Sequence, residues 1–145
     1  MHSPIIAPIV ALAAWTMVMW AWMYATRLPA MARAGIDGTK MVGSTGRSLR
    51  DDLIAAGETR ACWIADNYNH LLEQPVLFYA VALVLAIIGS GGGLNTMIAW
   101  AYVGLRVVHS LVQVSGNVVK YRFIVFALAS LALMLLLAVA AIAVF

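Results

Sequence analysis

Four long apolar stretches constrain the fold of this chain more than any other feature. They cover about residues 5–26, 63–89, 94–115 and 121–145. An α-helix rises about 1.5 Å per residue, so about 20 apolar residues cross the roughly 30 Å hydrocarbon core of a bilayer. Composition agrees: 64% of the residues are hydrophobic and 10% are charged, whereas soluble domains carry about 25% charged residues. The sequence predicts an all-α, integral membrane four-helix bundle.

The connections between the stretches indicate one domain over residues 1–145. The second and third stretches are joined by the glycine-rich residues 89–93, and the third and fourth by residues 116–120. Such short connections make the joined helices antiparallel neighbours. The first loop, 27–62, is long. Within it, Ser48 and Asp51 have the spacing of a helix capping box, followed by Leu49, Leu53 and Ile54 along one side, which predicts a short amphipathic helix on the membrane surface.

Charge is concentrated in the first loop. The net charge of +3 could suggest a nucleic-acid surface, but the basic residues of this loop alternate with acidic ones, as in a solvated mixed-charge segment. Loops rich in lysine and arginine stay in the cytoplasm. We therefore expect a multi-pass protein with loops 27–62 and 116–121 in the cytoplasm and both termini on the opposite side. The single cysteine, Cys62, excludes an internal disulfide and a cysteine metal cluster.

Polar side chains inside the apolar stretches follow helical spacing. An ionisable residue in a span costs about 2.5–3.5 kcal/mol on insertion scales, so such residues are rare and are usually paired or functional. The second stretch carries a polar residue at i, i+3, i+4 and i+7, the third at i, i+4, i+7 and i+11, and an arginine stands at the loop end of the first and fourth. They are Asp66, Asn69, His70 and Glu73; Tyr102, Arg106, His109 and Gln113; Arg27; and Arg122. We expect this cluster near the cytoplasmic face to be the functional site.

Two interpretations of the cluster remain open at this point. Glu73 and Arg106 could form a buried ion pair that only fixes helix register. Alternatively, the excess of arginines over deep carboxylates favours an anionic ligand bound by paired hydrogen bonds, with Glu73 holding an ammonium group. A metal site is not expected, because His70 and Glu73 form one ligand pair that only His109 could supplement.

Two motifs resemble those of a known family. The stretch Asn69-His70-Leu71-Leu72-Glu73-Gln74-Pro75-Val76-Leu77-Phe78 is similar to the helix-two motif of the MAPEG family, the membrane-associated proteins in eicosanoid and glutathione metabolism. Arg106-Val107-Val108-His109 resembles the helix-three motif of that family, and Arg122 follows at the expected distance. Chain length, the four-helix plan and the long first loop fit as well, so the resemblance, to a bacterial-type member, covers nearly the whole chain.

The resemblance implies a homotrimer in the bacterial inner membrane, in contact with lipids. Glutathione, as co-substrate, would bind between neighbouring subunits near the cytoplasmic face. The expected reactions are conjugation of glutathione to lipophilic electrophiles, reduction of lipid hydroperoxides or isomerisation of lipid endoperoxides. By position, Glu73, His109 and Arg122 would contact glutathione. The further candidates for ligand binding are Arg27, Asn69, His70, Arg106 and Gln113.

Five positions depart from the family pattern: Pro75 is nearer to Glu73 than usual, His70 replaces an asparagine, and three others bear on activation of the thiol. Gln113 stands where glutathione-active members have a tyrosine, and Phe123 and Phe126 replace a hydroxyl residue and a second tyrosine. The catalytic residues are therefore unknown, with Arg122 or Arg106 left to stabilise a thiolate. The alternative hypothesis is a non-catalytic membrane subunit or lipid-binding scaffold with the same fold. A proton-coupled transporter using Glu73 is less favoured, because the sequence shows no inverted repeat.

Overall fold

The structure, a computed structural model, describes residues 2–145 and contains six helices over that range. They are α1 (Ile6–Arg33), α2 (Gly46–Ala55), α3 (Thr59–Leu71), α4 (Gln74–Ile87), α5 (Gly93–Ser115) and α6 (Val119–Val144). Four segments are long and apolar enough to cross a membrane: α1, α3 with α4, α5 and α6. The predicted all-α bundle with four membrane spans is confirmed.

Successive spans run in opposite directions, so each end of the bundle gathers particular loops. One end holds loop 34–58, which includes α2, and the turn 116–118 between α5 and α6; we call it the charged face. The opposite end holds the N-terminus, the turn 88–92 and the end of α6. At that end the amide of Ile5 donates a hydrogen bond to the Gly91 carbonyl at 3.0 Å. A Cβ on Gly91 would collide with Ser3 and Ile5, so glycine permits this close approach.

The core of the bundle lies on the inward faces of all four spans. The most extensive packing is between α5 and α6 and between α1 and α3. The rings of Phe78 and Tyr102 stack with centroids 4.5 Å apart. Many large apolar side chains remain on the outside, among them Leu128, Leu131 and Leu135 of α6. Lipid is as apolar as leucine, so such residues are stable there and van der Waals packing holds the helices together.

The amphipathic helix in the first loop is present as α2, but its predicted cap is wrong. Thr45, not Ser48, caps it: the amide of Ser48 donates to Thr45 Oγ1 at 3.2 Å, and the amide of Thr45 donates to Ser48 Oγ at 3.0 Å. This segment offers several serine and threonine residues, so spacing alone could not select the cap. Leu53 is buried against Ala30, Ala61 and Cys62, so α2 packs on α1 and α3 as well as lying at the surface.

The second span is interrupted, although the apolar stretch predicted one continuous helix. α3 ends at Leu71 and α4 begins at Gln74, and the ψ of Glu73 is −96°, far from the α-helical value of about −42°. Pro75 has no amide hydrogen, and its ring would clash with the carbonyl four residues earlier. This break displaces Glu73 from the regular helical path.

Candidate functional site

The polar residues predicted for the third span lie on one face of α5. Tyr102, Arg106, His109 and Gln113 are all buried, in agreement with their helical spacing. Arg106 lies nine residues before the end of α5, so it is about 14 Å from the charged face along the helix axis. Its side chain has no exposed surface. A full positive charge is therefore held deep in the half of the bundle that ends at the charged face.

Arg106 contacts the break in the second span. Its Nη2 donates a hydrogen bond to the backbone carbonyl of His70 at 2.9 Å. His70 Nδ1 donates to Glu73 Oε2 at 2.8 Å, and the Glu73 side chain is 66% exposed. The buried ion pair between Glu73 and Arg106 that the sequence left open does not form. Glu73 points out of the bundle, whereas Arg106 stays inside it.

A hollow of about 200 Å³ opens beside the break; we call it the histidine hollow. It is lined by His70, His109, Val119, Arg122, Phe123 and Phe126. The rings of His70 and His109 lie 5.0 Å apart, centroid to centroid. Phe126 packs 5.3 Å from the His70 ring, and the guanidinium carbon of Arg106 lies 5.7 Å from the Phe126 centroid. The hollow therefore joins residues of the second, third and fourth spans, with Arg106 behind its aromatic wall.

Several buried polar atoms, on two residues that line this hollow and on Arg106 and Gln113 of α5, have no hydrogen-bond partner among residues 2–145. They are Nε and Nη1 of Arg106, Nδ1 of His109, Oε1 of Gln113 and Nε of Arg122. The other end of the Arg122 guanidinium donates from Nη1 to Asn117 Oδ1. A buried polar group without a partner is costly, more so where hydrocarbon replaces water. Cationic donors dominate this set, so an anionic ligand is the chemical complement.

Three residues of the predicted cluster, Arg27, Asp66 and Asn69, lie in a second hollow. The Arg27 hollow, about 40 Å³, is lined by Arg27, Gly46, Arg50, Leu53, Ala61, Cys62, Ala65, Asp66 and Asn69. Here Arg50 is paired with Asp66, Nε to Oδ2 at 3.2 Å. Within one chain, Arg27 and Asn69 are thus separated from His70, His109 and Arg122. The regular spacing of Asp66, Asn69 and His70 did not reveal this division.

A further ion pair anchors the first loop at the charged face. Arg33 Nε and Nη2 donate to the two carboxylate oxygens of Glu58, each at 2.7 Å. These hydrogen bonds lower the pKa of Glu58 below its usual value. Asp37, also in the loop, has its pKa lowered by hydrogen bonds from the side chain and the amide of Thr39. Two carboxylates of the loop are thus satisfied by neighbouring side chains.

A polar network deeper in the bundle was missed by the sequence analysis. Gln74 Nε2 donates to Ser130 Oγ at 2.8 Å, and the Tyr102 hydroxyl donates to Gln74 Oε1 at 3.4 Å. The signal available was the polar character of Gln74 and Ser130 within apolar stretches. The network ties α4 to α5 and α6. It leaves the Tyr102 hydroxyl engaged away from the histidine hollow.

The tyrosines of the chain do not line the histidine hollow. Tyr121 is exposed and points elsewhere, although it directly precedes Arg122. Phe123 and Phe126 occupy the wall where a hydroxyl would be useful. Among residues 2–145, moreover, histidine, cysteine, aspartate and glutamate side chains do not gather in groups of three or more that could hold a metal ion. The polar chemistry of the hollow therefore comes from arginine, histidine and the adjacent Glu73.

Of three comparisons with known proteins, one gave a match. The family model described as the MAPEG family matches residues 5–142, which is nearly the whole chain. Neither the comparison with curated proteins nor that with solved structures gave a match.

Proposed function

Since the chain belongs to the MAPEG family, we propose that it binds glutathione at the histidine hollow and transfers the thiolate to lipophilic electrophiles in the bilayer. The observation that carries this proposal is the unpartnered Nε of Arg122, a residue that lines the hollow, with the buried cation of Arg106 behind the Phe126 wall. The nearest carboxylate on the hollow's rim is Glu73, which is hydrogen-bonded to His70. The local balance of charge is positive.

Glutathione complements this arrangement group by group. It has two carboxylates, one ammonium and a thiol. Arg122, exposed to the hollow, would bind a carboxylate or the thiolate through charge-assisted hydrogen bonds. Glu73 would hold the ammonium, while His109, which lines the hollow with an unpartnered Nδ1, would provide a further polar contact. Each of these groups belongs to the predicted ligand-binding set, of which Arg27 and Asn69 lie in the other hollow.

We further propose that a second copy of the chain closes the site, within a homotrimer. The hollow's volume of about 200 Å³ is below the range of about 300–1,000 Å³ usual for small-molecule pockets. Glu73 is 66% exposed on the outside of the second span, where a bare carboxylate against hydrocarbon is unfavourable. A neighbouring subunit would cover Glu73 and complete the walls of the pocket.

The chemistry would begin with loss of the thiol proton to water. The positive field of Arg122, with Arg106 behind Phe126, lowers the pKa of the bound thiol because it favours the charged form. The thiolate sulfur then forms a bond to the electrophilic carbon, and the leaving group departs with the bonding electron pair. With a lipid hydroperoxide, the sulfur would attack the terminal oxygen and release the alcohol, and a second glutathione would resolve the sulfenic acid to a disulfide and water.

The charged face would lie in the cytoplasm, by the excess of lysine and arginine in its loops. Glutathione would then enter from the aqueous side and the electrophile from lipid. For a bacterial-type member of the family, the host would be the inner membrane.

A thermal-shift titration of the detergent-solubilised protein tests glutathione binding. At a concentration about 100 times Kd, binding adds about 2.7 kcal/mol, which raises Tm by several degrees. S-methylglutathione, which keeps the charges and blocks the thiol, should give a similar shift. Cysteinylglycine, which lacks the γ-glutamyl carboxylate and carries its ammonium on the cysteine instead, should give little. Equal effects of all three, or none, would contradict the proposal.

Stopped-flow absorbance separates binding from thiol activation. Mixing protein with glutathione at neutral pH should produce a thiolate signal that S-methylglutathione does not give. A Tm shift without a thiolate signal would remove the catalytic claim and leave the binding claim standing.

The second candidate is a non-catalytic membrane subunit or lipid-binding scaffold. It is favoured by Phe123 and Phe126, which line the hollow without a hydroxyl. It predicts a Tm unaffected by glutathione, and co-purification with bound lipid or a larger complex.

A further inference from the structure

The break in the second span leaves backbone groups that a continuous helix would pair. In an α-helix the amide of residue 74 donates to the carbonyl of residue 70. Here the amide of Leu72 donates to the Asn69 carbonyl at 2.9 Å, and the amide of Val76 donates to the Glu73 carbonyl at 3.2 Å. Within residues 2–145, no backbone hydrogen bond between α3 and α4 links Gln74 to His70. Pro75 removes the next donor. The His70 carbonyl therefore needs a donor from elsewhere.

Arg106 supplies that donor. Its Nη2 reaches the His70 carbonyl at 2.9 Å, and the side chain is fully buried. A carbonyl without a partner at membrane depth is unfavourable, and a guanidinium donor makes a stronger bond than a neutral one. The Phe126 ring, 5.7 Å from the guanidinium carbon, adds a favourable contact to the cation. Arg106 thus stabilises the interrupted form of the span.

The same contact determines where Glu73 lies. Arg106 holds the main chain of His70, while the His70 ring holds the Glu73 carboxylate at 2.8 Å. Glu73 reaches the outside of the bundle because the span is interrupted at residues 72 and 73. A continuous helix would return Glu73 to regular spacing and shift it relative to His70. Arg106 therefore acts on Glu73 through two links and without touching it.

We propose that Arg106 is a positioning residue: it holds the break between α3 and α4 open and so presents Glu73 beside His70 at the rim of the histidine hollow. This changes the role that the sequence suggested for Arg106, from ligand contact to support of the ligand-binding carboxylate. Only the identity of what Glu73 binds rests on the proposed function. The support itself is a property of the bundle.

Amide exchange at glutamine tests the support without any ligand. The chain has two glutamines, Gln74 at the break and Gln113 in α5, so selective ¹⁵N-glutamine labelling reports two backbone amides. In Arg106→Met with Pro75→Ala, residue 75 regains an amide and the carbonyl of His70 loses its side-chain donor. We expect the helix to close and the Gln74 amide to exchange at least about tenfold more slowly, as expected for a newly formed helical hydrogen bond. Gln113 is the internal control.

The Tm of single and double variants should show that the effects of substitutions at Arg106 and Pro75 are coupled. Arg106→Met alone should lower Tm by roughly 5 °C or more, and adding Pro75→Ala should recover part of that loss. In the presence of Arg106, Pro75→Ala should give no such gain. An unchanged Gln74 exchange rate in the double variant, or equal effects of Pro75→Ala in both backgrounds, would overturn the proposal.

Glutathione distinguishes positioning from simple structural support. The double variant should regain stability yet show no glutathione-induced Tm shift, because Glu73 is displaced. Arg106→Lys, which keeps one donor for the His70 carbonyl, should retain at least half of the wild-type shift. A full glutathione shift in the double variant would contradict the positioning role. A missing shift in the wild type would refute the proposed function, while the exchange result would still decide the role of Arg106.

Discussion

Two sides of the charged face differ in the ion pairs that they contain. On the paired side, formed by α1, α2 and α3, Arg33 is paired with Glu58 and Arg50 with Asp66. On the break side, formed by the α3–α4 break, α5 and α6, Arg106 and Arg122 have no carboxylate within 4 Å among residues 2–145, and Glu73 bonds to a histidine. Matched pairs hold a loop in place. Of the two cations on the break side, Arg122 lines the histidine hollow and Arg106 donates to the His70 carbonyl.

Unsatisfied polar atoms follow the same division. Five residues have buried side-chain nitrogen or oxygen atoms without a partner in the described chain, and four of them, Arg106, His109, Gln113 and Arg122, belong to the break side. The fifth, Asn67, is fully buried on α3, and nothing in the structure explains it. Native proteins rarely leave such groups unpaired without a functional reason. The break side is therefore the site we assign to glutathione.

Of the substitutions considered, Arg122→Ala should have the largest effect on glutathione binding. Loss of a charge-assisted hydrogen bond, about 1.5–3 kcal/mol, should weaken glutathione binding roughly 10- to 100-fold. Arg50→Ala, on the paired side, is the matched control and should leave Kd unchanged. Isothermal titration calorimetry in detergent measures both. If Arg50→Ala weakened binding as much as Arg122→Ala, the assignment of the site to the break side would be wrong.

Glu73→Gln should have the next largest effect. The amide keeps the shape but loses the charge that pairs with the ammonium, so we expect about a tenfold rise in Kd for glutathione. Affinity for an analogue without the ammonium group should hardly change. Asp66→Asn provides the matched control from the paired side. Equal losses for glutathione and the analogue would show that Glu73 does not hold the ammonium.

Phe126→Tyr should add a hydroxyl to the histidine hollow and so test what sets the pKa of the bound thiol. A phenol that donates to the bound thiolate should lower the thiol pKa by up to about one unit, or roughly tenfold more thiolate at a pH well below the pKa. The stopped-flow thiolate signal measures this. Tyr121→Phe, which removes an exposed hydroxyl outside the hollow, should leave the signal unchanged. No gain in Phe126→Tyr would contradict the placement of the thiolate beside residue 126.

Glu58→Gln should have the smallest effect. The pKa of Glu58 is lowered by its hydrogen bonds to Arg33, so its contribution to stability is present above the unfolded pKa of about 4.3 and is lost as pH falls through the lower folded pKa. The variant should unfold at a slightly lower temperature than wild type at pH 7 and at the same temperature well below pH 4. An exposed ion pair contributes little. Asp52→Asn, also exposed, is the control for a change in net charge.

Sequence reasoning recovered the spans because each is a long apolar run, and it placed Tyr102, Arg106, His109 and Gln113 on one face because α5 is regular. It failed at the second span, where regular 3.6-residue spacing was assumed through Pro75. The break moves Glu73 outward, and the loop packs Arg50 against Asp66, so one predicted cluster becomes two. Both results depend on tertiary contacts, such as the hydrogen bond from Arg106 to the His70 carbonyl. The helical spacing of residues in the sequence does not predict such contacts.

The most direct measurement is a structure of the detergent- or nanodisc-embedded protein with glutathione. Our account predicts density for the tripeptide against Arg122, with its ammonium within hydrogen-bond distance of Glu73 and the Arg27 hollow free of glutathione. Tripeptide density centred on Arg27 and Asn69, with Arg122 and Glu73 apart from it, would contradict the account.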